Sequence, residues 1–330
     1  MSTILKQARQ RFAREGAQRK KGKGDTSANR FPEVIQTSYT SLDVDYPADF
    51  LTPLPDPSII KVEKIDFKNS ELSEYRNLYA VVLDNVLTQA ECDQIITYAE
   101  MSKGAHAEGE EGPADNGWVP AMVNAGRNAE ILVTHYRNSD RIIWDEQEIM
   151  RRLWQRVLQG EGMKEYFSSL EGEKYAPAIG TFRNGEKWRA TDYGLNERMR
   201  FLRYGPGQFF KEHCDGTYET PDGRQRSFYT FHLYLNDSAQ ALGIKKGSKE
   251  DTPDLLHGGA TTFHSTDMTK RIDVDPKIGR ILIFQHRRLL HSGDLVTKGV
   301  KYTMRSDLMF EYEDQDLDDG GDDADGVVFE

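Results

Sequence analysis

From about Arg198 onward the chain alternates apolar and polar residues with a period of 2, in short runs at 198–204, 209–214, 228–236, 260–264, 271–275, 280–286 and 300–311. That period is the side-chain alternation of a β-strand, and the intervening stretches are rich in turn residues. Seven or eight short strands at this density, preceded by helices, predict an α+β, mainly β chain. Its core is expected to be a double-stranded β-helix (jelly roll) with supporting N-terminal helices.

The chemistry concentrates in one of these runs, Tyr204 to Asp215. The triplet Gly205-Pro206-Gly207 reads as a turn, because Gly tolerates positive φ and Pro holds φ near about −65°. In the extended run that follows, alternation predicts Phe209, Lys211, His213 and Asp215 on one side. An imidazole and a carboxylate two residues apart on one face can bind a metal ion from adjacent corners. With a second imidazole from another strand they form a 2-His-1-carboxylate triad with open positions, the arrangement suited to non-haem Fe(II). His291 and His286 are both candidates for that imidazole. Cys214, between the two ligands, is expected to point away.

Upstream, residues 1–45 read as a basic arm, carrying Arg9, Arg11, Arg14, Arg19, Lys20, Lys21 and Lys23. Residues 46–197 read as the helical support region of the catalytic domain. Tyr79 to Leu83 reads as a buried strand leading into a helix whose start, Thr88 and Glu91, matches a capping box. Cys92, Ile95, Ile96 and Ala99 follow at helical spacing, so Cys92 is expected in the core. A second helix is expected from about Asp145 to the glycines at 160 and 162, and residues 104–127 read as a loop. The expected jelly-roll core spans 198–312. Residues 313–330 read as an acidic disordered tail, and neither end has the periodic apolar face that would add to a core.

Of the net charge of −11, ten acids with no base lie between Glu311 and Glu330, so the rest of the chain is near −1. A nearly neutral body argues against nucleic acid as a partner. No run approaches the roughly 18 apolar residues of a membrane helix. Two cysteines exclude a disulfide framework and fit a reducing interior, cytoplasmic or nuclear.

Over roughly 76–312 the chain resembles the prolyl 4-hydroxylase-like branch of the Fe(II)/2-oxoglutarate-dependent dioxygenases. The segments that carry the resemblance are YAVVLDNVLTQAECDQIITYAE, MRFLRYGPGQFFKEHCDG, FHLYLND, GGATTF and GRILIFQHRRLLHSG…KGVKYTMRSDLMF. It implies His213, Asp215 and His291 as iron ligands, with His291 preferred over His286 because a cation-bearing strand follows it at the family distance. It implies Lys301, ten residues after His291, as the cation that holds the far carboxylate of 2-oxoglutarate. Arg305, on the same strand face, is the reserve candidate. Tyr234 matches a tyrosine whose hydroxyl helps hold that carboxylate, and Tyr204 matches one near the mouth of the site. The implied cofactors are Fe(II), 2-oxoglutarate as co-substrate and O2, with ascorbate supporting activity.

Read from the residues alone, Phe228, Thr230, His232, Tyr234 and Asn236 share one strand face, a polar stripe suited to enclosing a charged ligand. His232 is expected in or behind that pocket, and His257 and His264 in solvated loops. The expected activity is hydroxylation of a C–H bond in a prolyl-containing protein or a small metabolite, with release of succinate and CO2. The alternative is a jelly-roll metal-binding sensor without turnover.

Overall fold

The computed structural model describes residues 34–104, 114–126, 129–180 and 185–313. The elements that matter for the site run, in chain order, from β1 (Val34–Gln36), β2 (Lys61–Lys64) and β3 (Ala80–Asp84) into helix α1 (Gln89–Met101). Next come β4 (Ala129–Ile131), β5 (Arg137–Asn138), β6 (Asp140–Asp145) and helix α2 (Gln147–Leu158). The remaining strands are β7 (Lys187–Leu195), β8 (Arg198–Tyr204), β9 (Phe209–His213), β10 (Gln225–Tyr234), β11 (Thr261–His264), β12 (Arg271–Val274), β13 (Ile281–Gln285), β14 (His291–Gly293) and β15 (Lys301–Glu313).

Two antiparallel sheets carry the architecture. The larger runs β2-β3-β13-β10-β15-β8-β6, with β7 also paired to β15; the smaller runs β12-β11-β14-β9-β5. This is the jelly-roll arrangement expected from the alternation. Its outer face explains the helices. Along β10, Tyr229, Phe231 and Leu233 point to the same core as Cys92, Ile95, Ile149, Leu153, Trp154 and Val157 of the two helices. The intervening Thr230, His232 and Tyr234 point the other way, as a strand requires.

Both helix starts were legible locally. The Thr88 hydroxyl accepts from the Glu91 amide at 3.3 Å, and Glu91 accepts from the Thr88 amide at 2.8 Å. The same carboxylate takes Arg156 of α2 at 2.7 and 3.0 Å, which ties the two helices together. The α2 start is capped by Glu146, one residue beyond the expected Asp145, whose side chain accepts from the Glu148 amide at 3.0 Å. Cys92 is fully buried, as the spacing predicted.

The organisation upstream differs from the expectation. Residues 46–197 are more than helical support, because β2, β3, β6 and β7 join the larger sheet and β5 edges the smaller. Within 104–127, expected as a loop, Val123–Gly126 pairs with β4. Of the basic arm expected over 1–45, residues 34–36 form β1 and pair with β4, and the Leu42 amide donates to Ser102 O at 2.9 Å. The seven arm cations named above lie outside the described residues, as does all of the acidic tail beyond Glu313.

The turn before β13 shows how tightly the larger sheet sits against the α1 entry. Gly279 has φ +67°, and a Cβ there would stand 1.9 Å from the Leu87 carbonyl oxygen. Backbone cannot retreat as a flexible side chain can. Gly279→Ala is therefore expected to destabilise by about 2 kcal/mol or more, lowering Tm by roughly 5 °C in a thermal melt. An unchanged Tm would contradict this packing.

Candidate metal centre and its cavity

Between the two sheets lies a cleft of about 450 Å³, its open mouth included. The smaller sheet supplies Arg137, Phe210, His213, Thr261, His291 and Ser292, and the larger supplies Tyr204, Thr230, His232, Phe284, Lys301 and Arg305. Asp215, two residues past the end of β9, completes its floor.

His213, Asp215 and His291 converge, each offering a ligand atom within 4.8 Å of the others. The two histidines are direct cross-strand partners on β9 and β14. Asp215 Oδ1 stands 3.6 Å from His213 Nε2, and its Oδ2 stands 3.7 Å from His291 Nε2. Each Nδ1 faces a backbone carbonyl two residues back, Lys211 O at 2.7 Å and Leu289 O at 3.1 Å. A carbonyl only accepts, so Nδ1 carries the proton and the Nε2 lone pair is left free toward the centre. That tautomer, oriented by an outer hydrogen bond, is the one a metal needs. Burial also keeps both rings neutral, with His213 pulled down to about 3. An N2O donor set with neutral imidazoles and one carboxylate fits a divalent iron.

Asp215 stays ionised despite burial. Desolvation would raise it, but the Arg305 cation outweighs that and holds it well below the usual carboxylate range. Thr230 Oγ1 donates to Oδ2 at 2.5 Å and Arg305 Nη2 donates to Oδ1 at 3.1 Å.

The alternation in β9 is broken by a register shift between Phe210 and His213, whose partners on β14 are Gly293 and His291. Two residues of β9, Lys211 and Glu212, thus oppose the single Ser292 of β14, and such bulges re-aim side chains. Phe210, which strict alternation turns away from His213, lines the cleft and stacks on it with ring centroids 3.8 Å apart.

The other expected residues separate. Lys301 is buried inside the cleft with no ion pair among the described residues; its ammonium lies 5.3 Å from the Tyr204 ring centre and 5.7 Å from that of Tyr234. Burial pushes it down to about 8. Tyr204 lines the cleft. Tyr234 stands one step behind it, because its hydroxyl donates to Thr261 Oγ1 at 2.7 Å, and Thr261 is the residue that reaches the cavity. His286 faces Asp307 at 3.4 Å, away from the three converging groups. His232 does line the cleft. His257 and His264 are buried rather than solvated, the first against Asp251 at 2.7 Å and the second against Ser292 at 2.7 Å.

Arg137 was missed. It sits in a stretch with no strand signature, and only its pairing with Phe210 across β5 and β9 brings it to the site.

Residues 199–306 match the family model described as the 2OG-Fe(II) oxygenase superfamily. No curated relative matches the chain in sequence. Among solved structures, the chain is similar to a Pseudomonas putida prolyl-4-hydroxylase at 16% identity and TM-score 0.41, covering 73% of this chain and 96% of that one. A viral collagen prolyl hydroxylase from Paramecium Bursaria Chlorella virus-1 gives 19% and 0.37, covering 70% and 96%. A Trichoplax adhaerens prolyl hydroxylase, in complex with a hypoxia inducible factor oxygen degradation domain peptide fragment, gives 14% and 0.40, covering 71% and 83%. The family match takes in His213, Asp215, His291, Lys301 and Arg305 together; the chain carries a 2OG-Fe(II) oxygenase domain over residues 199–306, the domain of a 2-oxoglutarate-dependent dioxygenase.

Proposed function

We propose that this dioxygenase hydroxylates a C–H bond of a prolyl-containing protein or a small metabolite, inside the cell, in the cytoplasm or nucleus, with ascorbate supporting turnover. The observation that carries the reading is the convergence of two free Nε2 atoms on one buried carboxylate, with both Nδ1 atoms already bonded. No described helix is long and apolar enough to cross a membrane.

In this reading His213, Asp215 and His291 hold Fe(II), and Lys301 takes the far carboxylate of 2-oxoglutarate. When bound, these groups supply oxidative decarboxylation to succinate and CO2 coupled to transfer of one oxygen atom from O2 to the substrate. The protein's part is positional. Arg305 and Thr230 fix the rotation of the Asp215 carboxylate. Tyr204 walls the Lys301 end of the cleft, and Tyr234 orients Thr261.

Lys301 is favoured over Arg305 as the clamp because it is buried without a counter-charge, whereas Arg305 is engaged by Asp215 at 3.1 Å and Asp307 at 3.3 Å. A buried ammonium is costly unless an anion meets it. Arg has the better fork for a carboxylate, but here that fork is taken.

Slow decarboxylation of 2-oxoglutarate without added substrate is expected from the purified protein and separates an enzyme from a metal-binding module without turnover. Mass spectrometry of a peptide and metabolite panel incubated with enzyme, iron, ascorbate and 2-oxoglutarate then finds the substrate. Asp215→Ala is expected to lose Fe(II) binding and turnover while keeping a cooperative thermal transition; normal metal uptake by that variant would refute the ligand assignment.

The clamp has its own test. Lys301→Ala should raise the KM for 2-oxoglutarate roughly 100-fold, since a buried carboxylate loses its charged partner. Arg305→Ala should raise it far less. Only the protonated amine clamps, and burial has lowered the Lys301 pKa to about 8. The kcat/KM for 2-oxoglutarate should therefore hold below that pH and fall as pH rises through it. Lys301→Arg should move the fall to higher pH. A large KM effect confined to Arg305→Ala would reverse the assignment.

A further inference from the structure

The cleft holds more positive charge than its cofactor and co-substrate can use. Arg137, Lys301 and Arg305 line it, with Asp215 as the single carboxylate among the described lining residues. Behind them Asp307 is shared by Arg305 and Arg200, each at 3.3 Å. Counting these two, four cationic side chains face two carboxylates, an excess of two positive charges. Neighbouring acids do not redress it. Glu130 is paired with Arg141, Asp140 with Arg203, and Asp294 with Arg271. The histidines lining the cleft are held neutral by burial. Fe(II) brings two positive formal charges and 2-oxoglutarate two negative ones, so a loaded site keeps the same excess. Uncompensated charge in a buried cleft is expensive, and an anion is what relieves it.

Among these cations Arg137 is the one without a task. Its Nη1 donates to the Met122 carbonyl at 3.1 Å, its Nε is buried without a partner, and it makes no ion pair among the described residues. Its guanidinium lies 4.8 Å from the centre of the Phe210 ring, and that ring stacks on His213 at 3.8 Å. A planar fork one aromatic ring from a metal ligand, on the edge of the smaller sheet, sits on a different wall from Lys301.

We propose that Arg137 is a specificity-determining residue that binds a carboxylate of the organic substrate, so that this enzyme acts on an acidic molecule or on an acidic side chain presented by a peptide. The proposal rests on the dioxygenase reading above and narrows its substrate class. Arg305, already bonded to Asp215, contributes field at the same end rather than a free fork.

Calorimetric titration of the full-length protein, loaded anaerobically with Fe(II) and 2-oxoglutarate, tests it by binding rather than turnover. One arm compares N-acetyl amino acids with their carboxamides; the other compares end-blocked peptides bearing internal Asp or Glu with their Asn or Gln counterparts. At least one acid is expected to bind ten-fold or more tightly than its neutral partner, and the arm in which it appears identifies the source of the carboxylate. Arg137→Gln should reduce that ratio below two-fold while shifting the 2-oxoglutarate Kd by less than three-fold. Arg137→Lys should restore part of the ratio, and matching thermal transitions separate loss of the clamp from loss of the fold. The proposal fails if no acid in either arm is preferred, or if Arg137→Gln keeps the preference. It also fails if Arg137→Gln weakens 2-oxoglutarate ten-fold, which would make Arg137 part of the co-substrate site. A protein that takes up neither Fe(II) nor 2-oxoglutarate instead sinks the dioxygenase reading, and this proposal with it.

Discussion

The Asp215 carboxylate sets the terms for everything around it. Its side chain is 6% exposed, and desolvating an isolated carboxylate costs several kcal/mol, so the charge survives only if donors reach it from several sides. They come from the opposite sheet. Thr230 on β10 and Arg305 on β15 both bond a residue that follows β9 of the smaller sheet. One set of bonds therefore closes the two sheets on each other and fixes the group that a metal must find. Arg305 is itself braced by Asp307, which also meets Arg200 and His286. Loss of any one partner leaves a buried charge unmatched, which is worse than never having had the pair.

The same strands show why the cavity is polar while the fold is stable. In β10 and β15 alternate residues serve opposite needs. Phe231, Leu233, Met304 and Leu308 pack in the core shared with the helices, and Thr230, His232 and Arg305 line the cleft, with His232 directly opposite Arg305. Apolar burial on the outer face, at roughly 25 cal/mol per Å² of surface removed from water, offsets what the inner face gives up in holding charges away from solvent. A single-sided polar sheet without α1 and α2 would have no such compensation.

Much of this was legible because it rests on local rules. The period of 2, the capping box at Thr88 and the same-side placement of His213 and Asp215 follow from strand and helix geometry alone. What escaped needed partners distant in sequence. Arg137 and the strands before 198 are defined by pairing, and β5, two residues long, is too short to leave a periodic trace. Phe210 departs from strict alternation because a bulge is one inserted residue, invisible until the partner strand sets the count. Tyr234 was placed on the right face and one layer too close, since alternation gives direction but not depth. His257 and His264 read as solvated because loops usually are, and each was instead drawn inside by one hydrogen bond, to Asp251 and Ser292.

The geometry at the centre also bears on how much the protein must move to take up a metal. The carboxylate oxygens already stand 3.6 and 3.7 Å from the two Nε2 atoms, and the backbone acceptors behind each Nδ1 hold both rings facing that carboxylate. Arg305 prevents the opposite failure. With its cation at 3.1 Å, the carboxylate is neutralised from one side, so the three donors can wait close together without the ion and need not be driven apart or protonated. A site held this way loses little in reorganisation when the ion arrives, which leaves binding free energy for holding the metal in place.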